Sequence, residues 1–188
     1  PPESRSVLCT ANYEARVYGV RAAMSSSQAV RLCPQLILVP PNFSLYKAES
    51  KAVRGILDQY SERVEPLSLD EAYMDVTGAG VSATQIAHEI QGRIRRELGL
   101  SASCGVAPNK FLAKVASDWK KPGGLTVISP DRIDSFVRDL PADRIFGVGK
   151  KTASYMQSLG IKTCGDLQRM DLLELKRHFG SRAFELFN

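Results

Sequence analysis

Apolar residues recur at helical spacing in three stretches of the chain. In residues 44–64 they mark one face of a predicted amphipathic helix, formed by Leu45, Ala48, Ala52, Ile56, Tyr60 and Val64. A second helix is predicted to begin at Ser82, because Ser82 and Gln85 form a capping box, and to end at Gly99. A third is predicted from Pro108, with an apolar stripe formed by Phe111, Leu112, Val115 and Trp119.

Short apolar runs between these helices predict β-strands. The predicted strands are residues 36–39, 67–69, 73–76, 100–106 and 125–128. The order from residue 44 to 128 is therefore helix, hairpin, helix, strand, helix, strand. That order is typical of an α+β fold, in which helices pack on one face of a mostly antiparallel sheet.

The final third of the chain has a different pattern. After Pro130 it is predicted to be nearly all helical, in short pieces that glycines separate. This change predicts a domain boundary near Ser129, and the end of the first strand predicts another near Pro41. The predicted domains are residues 1–41, 42–128 and 129–188.

Composition limits the function only loosely. The 188 residues carry a formal net charge of +5, which permits a nucleic-acid partner without demonstrating one. The four cysteines, Cys9, Cys33, Cys104 and Cys164, are scattered with no C-x-x-C pair, which argues against a zinc site or a disulfide framework and favours a reduced cytoplasm. No apolar stretch approaches the length of a membrane span.

Two adjacent carboxylates, Asp70 and Glu71, lie at the joint of two predicted strands. Neighbouring residues in a regular strand point to opposite faces, so both can converge on one ion only where the backbone turns. Mg²⁺ prefers hard oxygen ligands, commonly one or two carboxylates and substrate phosphates. The pair is thus a candidate magnesium half-site, and an ordinary polar turn remains the alternative.

A basic and aromatic cluster lies near the start of the chain. Thr10 is positioned to cap a following helix, and Tyr13 and Arg16 are three residues apart and so share a face of it. The planar guanidinium of Arg16 matches phosphate oxygens. A solvated basic helix start is the alternative here, and Lys121, at the end of the third helix, could simply complement a helix C-terminus.

A glycine-rich turn precedes a helix in the last predicted domain. Gly147 and Gly149 flank one apolar residue, directly before Lys150 and Lys151. This is the helix-hairpin-helix pattern, in which glycines let the backbone approach a DNA phosphate and a helix N-terminus aims free N–H groups at it. Lysines in such a place position DNA without reading its sequence. A plain helix connector is the alternative.

With these pieces in chain order, the sequence resembles the Y-family, or lesion-bypass, DNA polymerases, and among them the bacterial DNA polymerase IV branch. The motifs that carry the resemblance are TANYEAR at 10–16, SLDEAYMD at 68–75, SCGVAPNKFLAK at 103–114, ASD at 116–118 leading to KPGG at 121–124, and FGVGK at 146–150. Together they cover essentially the whole chain.

The resemblance implies a fingers domain at 1–41, a palm at 42–128 and a thumb at 129–188. It implies that Asp70 and Glu71 bind catalytic Mg²⁺, with Glu71 the position usually marked as catalytic. It also implies that Thr10, Tyr13, Arg16 and Lys121 contact the triphosphate of the incoming nucleotide. The expected chemistry is two-metal phosphoryl transfer to a primer 3′-hydroxyl, with primer–template DNA and deoxynucleoside triphosphates as partners.

Two elements of the family have no match in this sequence. They are the first palm strand, with a further metal-binding aspartate and a residue that excludes ribonucleotides, and the C-terminal little-finger domain through which a sliding clamp would be reached. The chain is therefore expected to be a fragment that is inactive alone. The competing interpretations are a non-catalytic DNA-binding module and, more weakly, a nucleotidyl cyclase or another palm-type enzyme.

Overall fold

The structure is a computed structural model that describes residues 6–187. Within that range the chain forms ten α-helices and four short strands. In chain order they are α1 (Tyr13–Val17), α2 (Ser26–Leu32), α3 (Phe43–Leu57), β1 (Val64–Pro66), β2 (Ala72–Met74), α4 (Ala83–Leu98), β3 (Cys104–Val106), α5 (Lys110–Trp119), β4 (Leu125–Val127), α6 (Ile133–Asp139), α7 (Lys150–Ser158), α8 (Cys164–Leu167), α9 (Leu172–Phe179) and α10 (Ala183–Phe187). The predicted α+β class is confirmed. Among these helices, none is long and apolar enough to span a bilayer.

The chain divides into two compact units, residues 1–47 and 48–188, so the division falls within α3. The boundaries predicted at residues 41 and 128 stay predictions. Residues 1–5 of the predicted fingers and residue 188 of the predicted thumb lie outside the described residues.

The first unit is built around α1 and α2. Its buried cluster consists of Ala15, Val20, Ala29 and Cys33. The cap of α1 is Asn12 rather than Thr10, because the Asn12 carboxamide oxygen accepts from the Ala15 N–H at 3.1 Å. The strand predicted at 36–39 is wrong. Ile37 and Val39 are exposed, and no ladder partner for the segment is found in residues 6–187.

In the second unit, α3 ends at Leu57 instead of continuing to Val64, and Val64 opens β1. β1 pairs with β2 in an antiparallel hairpin, with Val64 opposite Met74. The strand predicted at 67–69 is a loop instead, because the N–H groups of Leu67 and Ser68 both donate to the Glu71 carbonyl, at 2.9 and 3.2 Å. The acidic pair therefore lies in the hairpin loop itself.

The helix predicted from Ser82 to Gly99 is confirmed as α4. Ser82 and Gln85 form the capping box, and Gly99 adopts a left-handed conformation at φ 68°. The apolar face of α4 packs against α3 in one buried cluster, made of Ile56, Ile86, Ile90 and Ile94. The face predicted for α4 is buried. Of the face predicted for α3, Ile56 is buried, whereas Leu45, Ala48 and Ala52 are exposed.

β3 and β4 form a second, parallel pair with α5 between them in sequence. A Cβ at Gly105 would overlap the backbone of Ala113, so the glycine lets β3 approach α5 closely. α5 begins at Lys110, with Asn109 as its N-cap, rather than at Pro108. Of the predicted apolar stripe, Leu112 and Val115 are buried, whereas Phe111 and Trp119 are exposed.

The last part of the chain is helical, as predicted, and has its own core. The core cluster contains Ala142, Met156, Ile161, Leu167, Leu175 and Ala183. Two capping boxes begin its helices, with Thr163 and Asp166 at α8 and Asp171 and Glu174 at α9. Ile145 and Val148, beside and within the glycine-rich turn that precedes α7, pack against this core.

Candidate active site and nucleic-acid interface

The hairpin loop between β1 and β2 presents the two candidate metal ligands. Asp70 is exposed, and its Oδ1 accepts from the Ser68 hydroxyl at 2.7 Å. Arg54 of α3 donates to the Ser68 carbonyl at 3.2 Å, which ties the loop to the helix beside it. The turn that brings both carboxylates to one loop is therefore held by hydrogen bonds to its own backbone and by α3.

Glu71 forms an ion pair with Lys114 of α5. The Glu71 side chain is 37% exposed, whereas the Lys114 side chain is only 12% exposed. The Lys114 ammonium also lies 5.9 Å from the centre of the Phe146 ring, in the turn that leads to α7. A nearly buried cation of α5 thus pairs with the acidic loop and lies near the turn before α7, all within the second unit.

Lys110, one helical turn before Lys114, pairs with Glu65 of β1 and lies 5.7 Å from the centre of the Tyr73 ring. This second pair is open to solvent, with side-chain exposures of 62% and 55%. Neither lysine is assigned a function by the sequence pattern alone. The available signal was their spacing of four within one helix, which places both on the same face.

The donor chemistry of the loop suits a divalent cation. Asp70 and Glu71 offer hard carboxylate oxygens that solvent can reach. Across residues 6–187, however, no group of three or more His, Cys, Asp or Glu side chains is placed to hold a metal ion. The pair therefore fits the half-site that the sequence predicts, and the oxygens of substrate or water would have to complete it.

The predicted triphosphate residues of the first unit lie together. The Arg16 guanidinium lies 4.8 Å from the centre of the Tyr13 ring, and its Nη2 is 3.5 Å from the Thr10 hydroxyl oxygen. Its Nε donates to the Ala11 carbonyl at 2.9 Å, which fixes the direction of the side chain. Lys121 belongs to the second unit and pairs with Asp118 at 2.6 Å. That Lys121 binds the triphosphate together with Thr10, Tyr13 and Arg16 stays a prediction.

The turn before α7 has the geometry of a backbone-binding hairpin. Gly147 has φ 86°, a conformation that favours glycine, and Arg182 donates to its carbonyl at 2.8 Å. Gly149 is the N-cap of α7 and supplies no side-chain cap, so the first N–H groups of the helix are left to other partners. Lys150 and Lys151 are exposed directly after it.

The cysteines of the second unit, Cys104 and Cys164, are weak nucleophiles. Burial raises the pKa of both the Cys104 and the Cys164 thiol to about 11. Both thiols stay protonated near neutral pH, and a protonated thiol is a poor nucleophile. The candidate chemistry of this unit therefore belongs to the carboxylates and lysines.

Comparison with known proteins places this arrangement in a family. Residues 2–118 match the family described as impB/mucB/samB, and residues 138–187 match the thumb domain of DNA polymerase iota. DNA polymerase IV of Ectopseudomonas mendocina is 53% identical over 182 residues, which is 95% of this chain and 52% of the relative. DNA polymerase IV of Ralstonia nicotianae is 50% identical over 188 residues, which is 98% of this chain and 53% of the relative.

Solved structures agree with the sequence matches. DinB from Sulfolobus solfataricus superposes with a TM-score of 0.88 at 36% identity, over 93% of this chain and 53% of that one. The insertion ternary complex of Dbh DNA polymerase superposes with a TM-score of 0.85 at 35% identity, over 93% of this chain and 52% of that one. The chain spans about half the length of the relatives it matches. Because the family match covers more than half of the chain, the chain belongs to the impB/mucB/samB family, the Y-family of DNA polymerases.

Proposed function

We propose that this chain forms the catalytic half of a template-directed DNA polymerase of the lesion-bypass type, which adds deoxynucleotides to a primer 3′ end. The observation that carries the proposal is the solvent-accessible pair of carboxylates, Asp70 and Glu71, in the loop of a palm hairpin. Membership of the Y-family supports it, as do relatives named DNA polymerase IV. The activity of the whole protein is part of the proposal, since the chain matches about half of each relative.

Asp70 and Glu71 would hold Mg²⁺ in the working enzyme, with two ions in the complete site. Bound there, Mg²⁺ would supply positive charge against the charge that develops during phosphoryl transfer. The carboxylates keep their place because the Ser68 hydroxyl orients Asp70 and the Lys114 ammonium orients Glu71.

Four residues would bind the triphosphate of the incoming nucleotide: Thr10, Tyr13, Arg16 and Lys121. Arg16 has the geometry for it, because its Nε bond to the Ala11 carbonyl and its packing on Tyr13 hold the guanidinium in one orientation. A guanidinium held in this way loses little conformational entropy when it meets phosphate oxygens. Thr10 and Tyr13 would add hydroxyl groups, and Lys121 a second positive charge.

The turn before α7 would bind the sugar–phosphate backbone of DNA. Gly147 and Gly149 let a phosphate approach the main chain, and the uncapped N–H groups of α7 would donate to it. Lys150 and Lys151 would add charge that attracts any duplex equally. This contact holds DNA without selecting a sequence.

A hybrid polymerase tests the catalytic proposal. These 188 residues would replace the matching segment of the Ectopseudomonas mendocina relative, so that the rest of that protein is supplied intact. Primer extension should then depend on Asp70 and Glu71, and Asp70→Asn or Glu71→Gln should lower kcat by about 100-fold or more.

The matched control for this hybrid is Glu62→Gln, which removes one exposed carboxylate from the segment before the hairpin. It should leave the extension rate within about twofold of the parent hybrid, since surface substitutions away from a site have little effect. If the hybrid extends primers equally well with Asp70→Asn and Glu71→Gln, the two carboxylates do not hold the catalytic ions and the proposal is wrong.

A further inference from the structure

The ion pair between Lys114 and Glu71 differs from most ion pairs of a protein surface. The Lys114 side chain is 12% exposed, and Phe146 lies beside its ammonium. Water and salt therefore screen this cation poorly, and its field at the acidic loop is stronger than that of an exposed lysine. The pair of Lys110 with Glu65, one helical turn away, is open to solvent and well screened.

Lys114 changes the charge that a divalent cation meets at the loop. Asp70 and Glu71 together carry two negative charges, and the Lys114 ammonium in contact with Glu71 leaves a local sum of one. A cation that approaches Glu71 is repelled by the ammonium and must compete with it for the same carboxylate. Both effects weaken binding of a cation in the absence of any other anion.

We propose that Lys114 is a positioning residue that holds Glu71 and keeps the affinity of the acidic loop for divalent cations low when no nucleotide is bound. This inference rests on the proposed metal-binding function of Asp70 and Glu71. A nucleotide triphosphate brings its own negative charge, which would offset the ammonium. Lys114 thus makes occupation of the metal site depend on the substrate.

The test is Mn²⁺ binding to the chain alone, measured from the electron paramagnetic resonance signal of the free ion. Lys114→Met keeps the length of the side chain and removes its charge, and it should raise Mn²⁺ affinity about tenfold. Lys114→Arg keeps the charge and should stay near the parent value. Circular dichroism confirms folding of each variant, and Lys114→Gln replaces Lys114→Met if the latter unfolds.

Lys110→Met is the matched control, because it removes an identical charge from the same face of α5 at an exposed pair. It should change Mn²⁺ affinity by less than about twofold. The double variant Lys114→Met/Glu71→Gln should show none of the increase in Mn²⁺ affinity seen in Lys114→Met, because Lys114 acts on the cation through Glu71.

Three results would overturn the inference. The first is a Mn²⁺ affinity of Lys114→Met that is equal to or lower than that of the parent chain. The second is an increase in Mn²⁺ affinity in Lys110→Met that equals the increase in Lys114→Met. If Asp70→Asn and Glu71→Gln still weaken Mn²⁺ binding in those cases, the proposed metal site stands and only the function of Lys114 is wrong. The third is no measurable Mn²⁺ binding by any variant, Lys114→Met included, which overturns the inference and leaves the metal site to be decided by primer extension with the hybrid polymerase.

Discussion

Two lysines of one helix show how burial alone changes what a residue does. Lys110 and Lys114 both project from α5 toward the β1–β2 hairpin, and both pair with a glutamate there. The exposed pair contributes little to stability, because water screens the charges and two long side chains lose entropy. The nearly buried ammonium of Lys114 holds Glu71 in place and repels any cation that approaches this carboxylate.

Two neighbouring apolar residues of α5, Phe111 and Leu112, also differ in burial. Their exposures predict how much stability each alanine substitution costs. Leu112 is 1% exposed and Phe111 is 39% exposed. Leu112→Ala leaves a cavity in the cluster with Ala116 and Ile128, so we expect a loss of about 2–5 kcal/mol in the free energy of unfolding.

Phe111→Ala is the control, since it removes a larger side chain from a site that water already reaches. It should cost clearly less than Leu112→Ala in urea unfolding followed by circular dichroism. Equal losses would mean that Phe111 contributes as much packing as the buried residue, contrary to its exposure.

Two loops of the second unit carry candidate chemistry, and regular elements hold each of them. The loop of the β1–β2 hairpin is closed by main-chain bonds to Glu71 and anchored by Arg54 of α3. The turn before α7 is anchored by Arg182, which donates to Gly147. Scaffold elements that hold a loop in one conformation keep its ligands in place before a substrate arrives.

The turn before α7 can be tested as an element by its response to salt. Replacing both Lys150 and Lys151 by alanine should lower DNA affinity similarly on unrelated duplex sequences. The slope of log affinity against log salt concentration should flatten by up to about 2 units, since each lost phosphate contact releases one fewer counterion. Fluorescence anisotropy with two unrelated duplexes, over a range of salt concentrations, gives both quantities.

Lys47→Ala with Lys51→Ala is the control for this pair. It removes the same charge from exposed positions of α3, and the salt slope should stay close to that of the parent chain. If the Lys150→Ala/Lys151→Ala variant loses DNA affinity on one duplex only, or loses none, the turn connects two helices and does not bind DNA.

At the scale of the whole molecule, the chain spans about half the length of the relatives it matches. It covers 52% of one DNA polymerase IV and 53% of another. Its net charge of +5 is compatible with DNA as a partner, though the charge alone would fit many proteins. The family match and the placement of two loops, more than composition, carry the functional proposal.

We predict that the 188-residue chain tested alone binds DNA weakly and fails to extend a primer at an appreciable rate. Two divalent ions held close together need several carboxylates to offset their repulsion, and in residues 6–187 no three metal-binding side chains come together. The loss should appear mainly as a slower chemical step, about 100-fold or more below the hybrid polymerase. Primer extension with Mg²⁺ and all four deoxynucleotides, run beside the hybrid, measures it. Comparable rates would require a different metal site from the one proposed.

Local patterns were sufficient for α4 and for the residues that stand together in the two loops. The capping box at Ser82, the left-handed Gly99 and the isoleucines of α4 all follow from interactions within a few residues, so the sequence predicts them correctly. The adjacency of Asp70 and Glu71 and the spacing of Gly147 and Gly149 are equally local. These features needed no knowledge of the rest of the fold.

Only the tertiary structure determines the pairing and burial of residues that lie far apart in the sequence. Residues 36–39 are apolar enough for a strand, yet a strand exists only where another segment offers its hydrogen bonds. The run at 67–69 became a loop because its N–H groups bond to Glu71. Lys114 and Glu71 are 43 residues apart, and no local pattern predicts that they meet or that the meeting is nearly buried. Periodicity shows which face of an element is apolar, but burial and pairing are set by what packs against that face.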